Sequence, residues 1–217
     1  PGADRGCDDR EDGLEEIMKP GSSGGRPRDA AIDTALIDAA TQLISEKGFG
    51  AVTVDEVARR AGTTKPAFYR RFSQVADMVP GIIQRRHGDV PPIDSGSLEG
   101  DLLAFQRFQA DIFNDVFVRH SMAGWLSHLA TRPEQARGFV EGFLGNRLVL
   151  LQGMLDRSRD RGESLGTVPA AQVMDILVGP LLMRSLMPDL GAADEQVQRD
   201  TVHTALCVLG VRTPASD

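Results

Sequence analysis

Arg59, Arg60, Lys65, Arg70 and Arg71 fall within residues 59–72, a stretch that holds no acidic side chain. The chemistry open to such a set is recognition of phosphate and of base edges by fixed N–H donors. What matters is how the chain presents them. Thr53 and Glu56 have the spacing of a capping box, in which hydroxyl and carboxylate satisfy the first unpaired backbone N–H groups of a helix. Val54, Val57, Ala58 and Ala61 then share one helical face, small Ala58 admits a closely crossing neighbour, and Gly62 suits a turn with positive φ. A second helix starts near Thr64, tolerates Pro66 in its first turn, and anchors to a core through Phe68 and Phe72. That anchoring turns Pro66 and Arg70 outward, with Ala67 and Tyr69 beside them. Two short helices about a tight turn, with outward basic groups, form a helix-turn-helix suited to the major groove.

The surrounding residues extend this pattern. A first helix from Ala30 to Lys47 is followed by Gly48, Phe49, Gly50, Ala51, Val52, Thr53 and Val54, and the turn and second helix carry Ala61, Gly62, Thr64, Lys65, Tyr69 and Phe72. The run resembles the DNA-binding domain of the tetracycline-repressor (TetR) family of bacterial regulators. It departs from the usual family pattern at Pro66 for glycine, Arg71 for histidine and Val75 for a phosphate-contacting lysine. The resemblance implies an all-α protein: an N-terminal three-helix DNA-binding domain and a C-terminal helical bundle for ligand binding and dimerisation. It also implies a homodimer on a double-stranded, palindromic operator, most often a repressor released by a small effector. On this reading Lys65, Pro66, Ala67 and Arg70 meet bases or groove wall, and Thr53, Thr64, Tyr69 and Arg71 meet phosphates. Arg26 and Arg28 precede the first helix as either a minor-groove or phosphate-binding arm or a plain linker.

Composition is compatible with that division. The net charge of −7 separates into −4 for residues 1–25, +3 for 26–87 and −6 for 88–217. A basic end on an acidic body orients the molecule on a duplex. Residues 1–25 are acidic, rich in Gly and Ser, and expected to be disordered. The expected divisions are this tail, a DNA-binding domain at 26–74, a ligand and dimer domain at 75–212, and a short tail at 213–217. No apolar run is long enough to span a bilayer and no secretory signal is seen, so a cytoplasmic location without membrane attachment is expected. Cys7 and Cys207 lack metal-type spacing, and Cys207 in an apolar run is expected to be buried. No phosphate loop, nucleophile elbow, dinucleotide fingerprint or zinc-protease motif is present, so neither an enzyme nor a metal or cofactor is expected.

Beyond the helix-turn-helix, a helix over Gln74–His87 should kink or break near Pro80, and Gly88–Gly96 should be a loop. Apolar periodicity then predicts helices over Leu98–Val118, Met122–Ala130, Pro133–Arg161, Pro169–Met187 and Ala193–Leu209. Residues 88–217 hold six of the nine Phe, the one Trp and five of the seven Met. These fit either an ordinary core or a cavity for an apolar or aromatic ligand. The candidate pocket residues are Phe105, Phe108, Gln109, Ile112, Phe113, Trp125, His128, Phe143, Arg147 and Met174. The last two helices are apolar on more than one side, and the resemblance makes them the dimer interface, with Met174, Val178, Leu181, Leu182, Val197, Thr201, Ala205 and Val208 as candidates. Two alternatives stay open: a helical ligand-binding protein without specific DNA binding, and a regulator without a small-molecule effector.

Overall fold

A computed structural model describes residues 27–211, and every regular element among them is helical. The acidic tail, Arg26, Cys7 and the C-terminal tail lie outside the described residues. Helix α1 spans Pro27–Lys47, α2 Val54–Arg60 and α3 Lys65–Tyr69. Proline is at home in a first helical turn, so α1 opens three residues earlier than expected and takes in Arg28, whose side chain is not described.

Pro80 interrupts the next segment as expected. A 3₁₀ turn, Val75–Met78, ends where α4 (Val79–His87) begins, and Pro80 occupies the first turn of α4, where its missing N–H costs nothing. After the connector come α5 (Leu98–Asn114) and α6 (Val116–Ala130). The single helix expected through Val118 is therefore split at Asp115. Its backbone is extended (φ −63°, ψ 132°), and its carboxylate caps α6 by accepting the Phe117 N–H at 2.7 Å. The same carboxylate receives Arg86 at 2.7 Å, tying the end of α4 to the α5–α6 corner.

Residues 133–160 run as α7 (Pro133–Phe139), a π-helical turn (Val140–Leu144) and α8 (Gly145–Asp160). Helices α9 (Ala170–Leu186) and α10 (Glu195–Val208) complete the chain, the latter capped by Asp194.

The apolar interior forms two large clusters. One joins α1, α2 and α3 to α4, α5 and α6: Leu36, Ile44, Val57 and Phe68 share it with Met78, Ile82, Phe117 and Trp125. The other is built by α5, α8, α9 and α10 around Leu102, Phe105, Leu151, Leu177 and Leu206. The first crosses the boundary expected at residue 74, because Val75, Ala76, Met78 and Val79 are buried in it. Gln106 stitches the second bundle by donating to Leu177 O at 2.7 Å and Thr201 Oγ1 at 2.8 Å.

Candidate nucleic-acid interface and interior chamber

The reading head is assembled by local rules. Thr53 Oγ1 accepts the Glu56 N–H at 3.3 Å while Glu56 accepts the Thr53 N–H at 3.2 Å, so the capping box is complete. Lys47 reaches Glu56 at 2.6 Å, and its ammonium with the Thr53 donors holds the Glu56 carboxyl at about 2. Gly62 supplies φ 64° in the turn, and Thr63 N–H closes onto Ala58 O at 2.9 Å. Thr64 Oγ1 then caps α3 by accepting the Ala67 N–H at 3.3 Å. Phe68 is fully buried, with Tyr69 edge-on to it at 5.7 Å and itself 52% exposed.

Thr64, Lys65, Pro66, Tyr69 and Arg70 are exposed along α3, as the sequence pattern requires, and Thr53 is exposed at the start of α2. Arg59 and Arg70 have no ion pair among the described residues. Lys65 lies 2.9 Å from Asp55, which raises its pKa, but a pair this exposed is weak and exchangeable. Two assignments change. Ala67 is buried, because a five-residue helix that seats Phe68 also turns its neighbour toward α2; it offers no side chain to a groove. Arg71 faces inward, its guanidinium paired with Asp33 of α1 and donating to Ala67 O at 3.1 Å. It fastens α3 to α1 instead of standing free for phosphate. Arg60 is likewise turned to α1, with Nη1 and Nη2 at 3.0 and 3.1 Å from the two Glu46 oxygens.

Behind the head, within the first core, lies a largely enclosed chamber of about 180 Å³. Ile83 of α4, Gln109, Ile112 and Phe113 of α5, and Met122, Trp125 and Leu126 of α6 line it, with Phe139, Leu144, Arg147, Val178 and Leu182 closing the other side. The π-helical turn follows Phe139 and ends with Leu144, and Trp125 meets Phe139 edge-to-face at 4.6 Å. Gln109, Ile112, Phe113, Trp125 and Arg147 were expected here. Phe105 and Met174 belong to the second core instead, Phe108 packs against the first core outside this lining, and the Phe143 side chain is not described. Met122, Trp125 and Leu126 have the i, i+3, i+4 spacing that announces a shared helix face, the signal for α6 as a wall.

His128 is not in the chamber lining. Arg132 Nη1, which can only donate, stands 3.0 Å from His128 Nδ1, so Nε2 carries the proton and donates to Gln135 Oε1 at 2.8 Å. Gln135 Nε2 in turn donates to Asp77 Oδ1 at 3.3 Å, the same oxygen that Gln74 Nε2 reaches at 3.2 Å. Together with His120 Nδ1 donating to Ser45 O at 2.7 Å, α6 thus holds the reading head at both ends. Between them Gly124 lies so close to Phe49 that a Cβ would come 2.4 Å from its ring.

The expected dimer residues also divide. Leu181, Thr201 and Ala205 are buried within one chain, as is Met174, and Val178 and Leu182 face the chamber. Thr201 is occupied by Gln106. The outward stripes are Ile176, Pro180, Met183 and Met187 on α9 and its end, and Val197, Thr204 and Val208 on α10. Ile176, Pro180, Val197 and Thr204 line a groove of about 390 Å³ together with Asp175, Arg184, Asp200 and Thr201, and Met183, Met187 and Val208 are 41% exposed or more. Cys207 is exposed, 3.5 Å from His203, because it lies off the buried stripe of α10.

Residues 36–79 match the family described as bacterial regulatory proteins, tetR family, and residues 92–205 match the tetracyclin repressor-like C-terminal domain. The chain is 30% identical over 189 residues to the helix-turn-helix transcriptional regulator YdeS of Bacillus subtilis strain 168, covering 85% of this chain and 92% of that one. It is 30% identical over 169 residues to the regulator Rv1556 of Mycobacterium tuberculosis strain H37Rv, covering 76% and 82%. Among solved structures, the fatty acid degradation regulator FadR from Bacillus halodurans has the same fold, with TM-score 0.59, 20% identity and coverage of 86% and 98%.

Proposed function

The chain belongs to the tetR family of helix-turn-helix transcriptional regulators, and from that membership we propose that it is a homodimeric repressor that leaves a palindromic operator when a small apolar or aromatic effector fills the chamber. The observation that carries this reading is the position of the chamber. Its walls include Ile83 of α4, the helix reached directly from the reading head through the break at Pro80, and the face of α6 whose other contacts fasten that head. An occupant that pushes α4 against α6 changes the angle of the head, and in a dimer it changes the distance between two heads that must match two half-sites.

In this reading Lys65, Pro66 and Arg70 meet bases or groove wall, and Thr53, Thr64, Tyr69 and Arg59 meet phosphate. Arg71 acts by holding α3 in place. The outward stripes of α9 and α10 form the contact between subunits, with Val197 and Val208 kept from the sequence expectation and Met183 and Met187 at its apolar centre. A chamber of about 180 Å³ is close to the roughly 150 Å³ that admits a single aromatic ring.

The test is selection of bound duplexes from a random DNA pool by the purified protein at moderate salt. An inverted repeat is the expected product. Recovery of no shared motif by a folded dimer would set specific operator binding aside and favour a helical ligand-binding protein. Loss of the operator complex on adding a chamber-filling compound then separates effector control from a regulator without one.

A further inference from the structure

The polar groups of the chamber are the Arg147 guanidinium and the Gln109 amide. Gln109 is 3% exposed and Arg147 is 5% exposed, and Arg147 Nε lies 3.1 Å from Gln109 Oε1. A guanidinium has no acceptor, so this contact fixes the Gln109 amide with its oxygen toward Arg147 and its Nε2 hydrogens directed elsewhere. Nε2 has no hydrogen-bond partner among the described residues. The remaining lining is apolar. Arg147 also borders a more open hollow of about 370 Å³ on the outer side, with Gln84, Asp89 and Asn146, so it stands in the wall between the chamber and a polar vestibule. Burial pushes its guanidinium down to about 10, with the Asp89 carboxylate acting the other way. A cation in that position gains from an anion brought to it by the ligand.

We propose that the effector is an amphipathic monocarboxylate, with an apolar body of about one ring or a short chain in the chamber and its carboxylate received by the Arg147 guanidinium and Gln109 Nε2. This rests on the effector reading above and narrows it to a chemical class. A carboxylate brings the negative charge and the acceptor oxygens that a buried guanidinium takes up, whereas a hydroxyl or primary amide brings no charge to it. The planar fork of arginine also matches the two carboxylate oxygens.

The experiment is a melting series on the full chain with hexanoate, octanoate and 4-ethylbenzoate, each beside its primary amide and alcohol, followed by release of the selected operator duplex. The acids are expected to raise the midpoint by about 3–6 °C at ten times their Kd, with little shift from the matched neutral compounds at the same concentration. Arg147→Met should weaken the acids by about ten- to a hundred-fold and leave the alcohols unaffected. Gln109→Glu keeps the shape, places a competing carboxylate beside Arg147, and should do the same even if the Arg147 variant folds poorly. Equal shifts from acids and alcohols, or an acid response unchanged in both variants, overturn the carboxylate assignment. If neutral compounds alone bind and release the operator, the chamber stands as the effector site and the acid class is wrong. If acids bind and the operator stays bound, the carboxylate site stands and release by effector is wrong. No shift from any compound rejects both.

Discussion

Arg70 and Arg71 are adjacent in sequence and opposite in role. Arg70 is exposed on α3 and has no ion pair among the described residues, so Arg70→Ala is expected to leave the melting temperature almost unchanged, cost about 1–3 kcal/mol of operator affinity and blur one base position. Arg71 is turned onto Asp33 and Ala67 O, so Arg71→Ala should lower folding stability by about 1–2 kcal/mol, readable in a denaturant titration. A variant of Arg71 that melts normally and loses only salt-sensitive DNA binding would return it to the phosphate contacts. Glu56 titrates at about 2 in the folded protein, below its ordinary value of 4.5. The stabilisation from its ionised form is therefore complete above about 4.5 and lost as pH falls toward 2, and Glu56→Gln should flatten that acid limb of a melting profile. These local features were largely legible in the sequence, because a capping box, a positive-φ glycine and a Phe68/Phe72 pair are written in neighbouring residues. Ala67 and Arg71 were misread because a helix of five residues has too little length for periodicity to set its faces, and because Asp33 comes from a distant segment.

Helix α6 carries more than its apolar pattern discloses. It supplies a wall of the chamber through Met122, Trp125 and Leu126, and it grips the reading head through His120, Gly124 and His128. Gly124→Ala places a methyl group on the Phe49 ring and is expected to destabilise the protein by about 1–3 kcal/mol, with a change in operator affinity that the same substitution at exposed Gly138 does not produce. Equal DNA binding by the Gly124 variant and the parent protein would show that the Phe49 contact is packing alone. Element boundaries were legible where a local signal marks them, as at Pro80. Asp115 escaped notice because Ile112, Phe113, Val116 and Phe117 continue the apolar pattern across it. The π-helical turn at Val140–Leu144 has no composition of its own to announce it.

The molecule as a whole divides by core and not by the expected domain boundary. One apolar cluster belongs jointly to the reading head, α4 and α6, and a second belongs to the bundle that presents α9 and α10. Periodicity cannot distinguish a residue packed within its own chain from one packed on a partner, which is why Leu181 and Ala205 looked like interface residues and are interior. Met183→Arg tests the outward stripe. Sedimentation should show monomers with unchanged helical content, and affinity for the inverted repeat should fall ten-fold or more, about 1.4 kcal/mol. A persistent dimer would place the subunit contact elsewhere. The shared first core has a further consequence under the proposed mechanism. The side chains that hold the head to the body also bound the space an effector must enter, so tighter packing there raises both the strength of repression and the dose needed to lift it. Such a regulator has one setting for both properties, and a lineage that needs a more sensitive response must accept a looser grip on its operator or move the adjustment to the subunit contact.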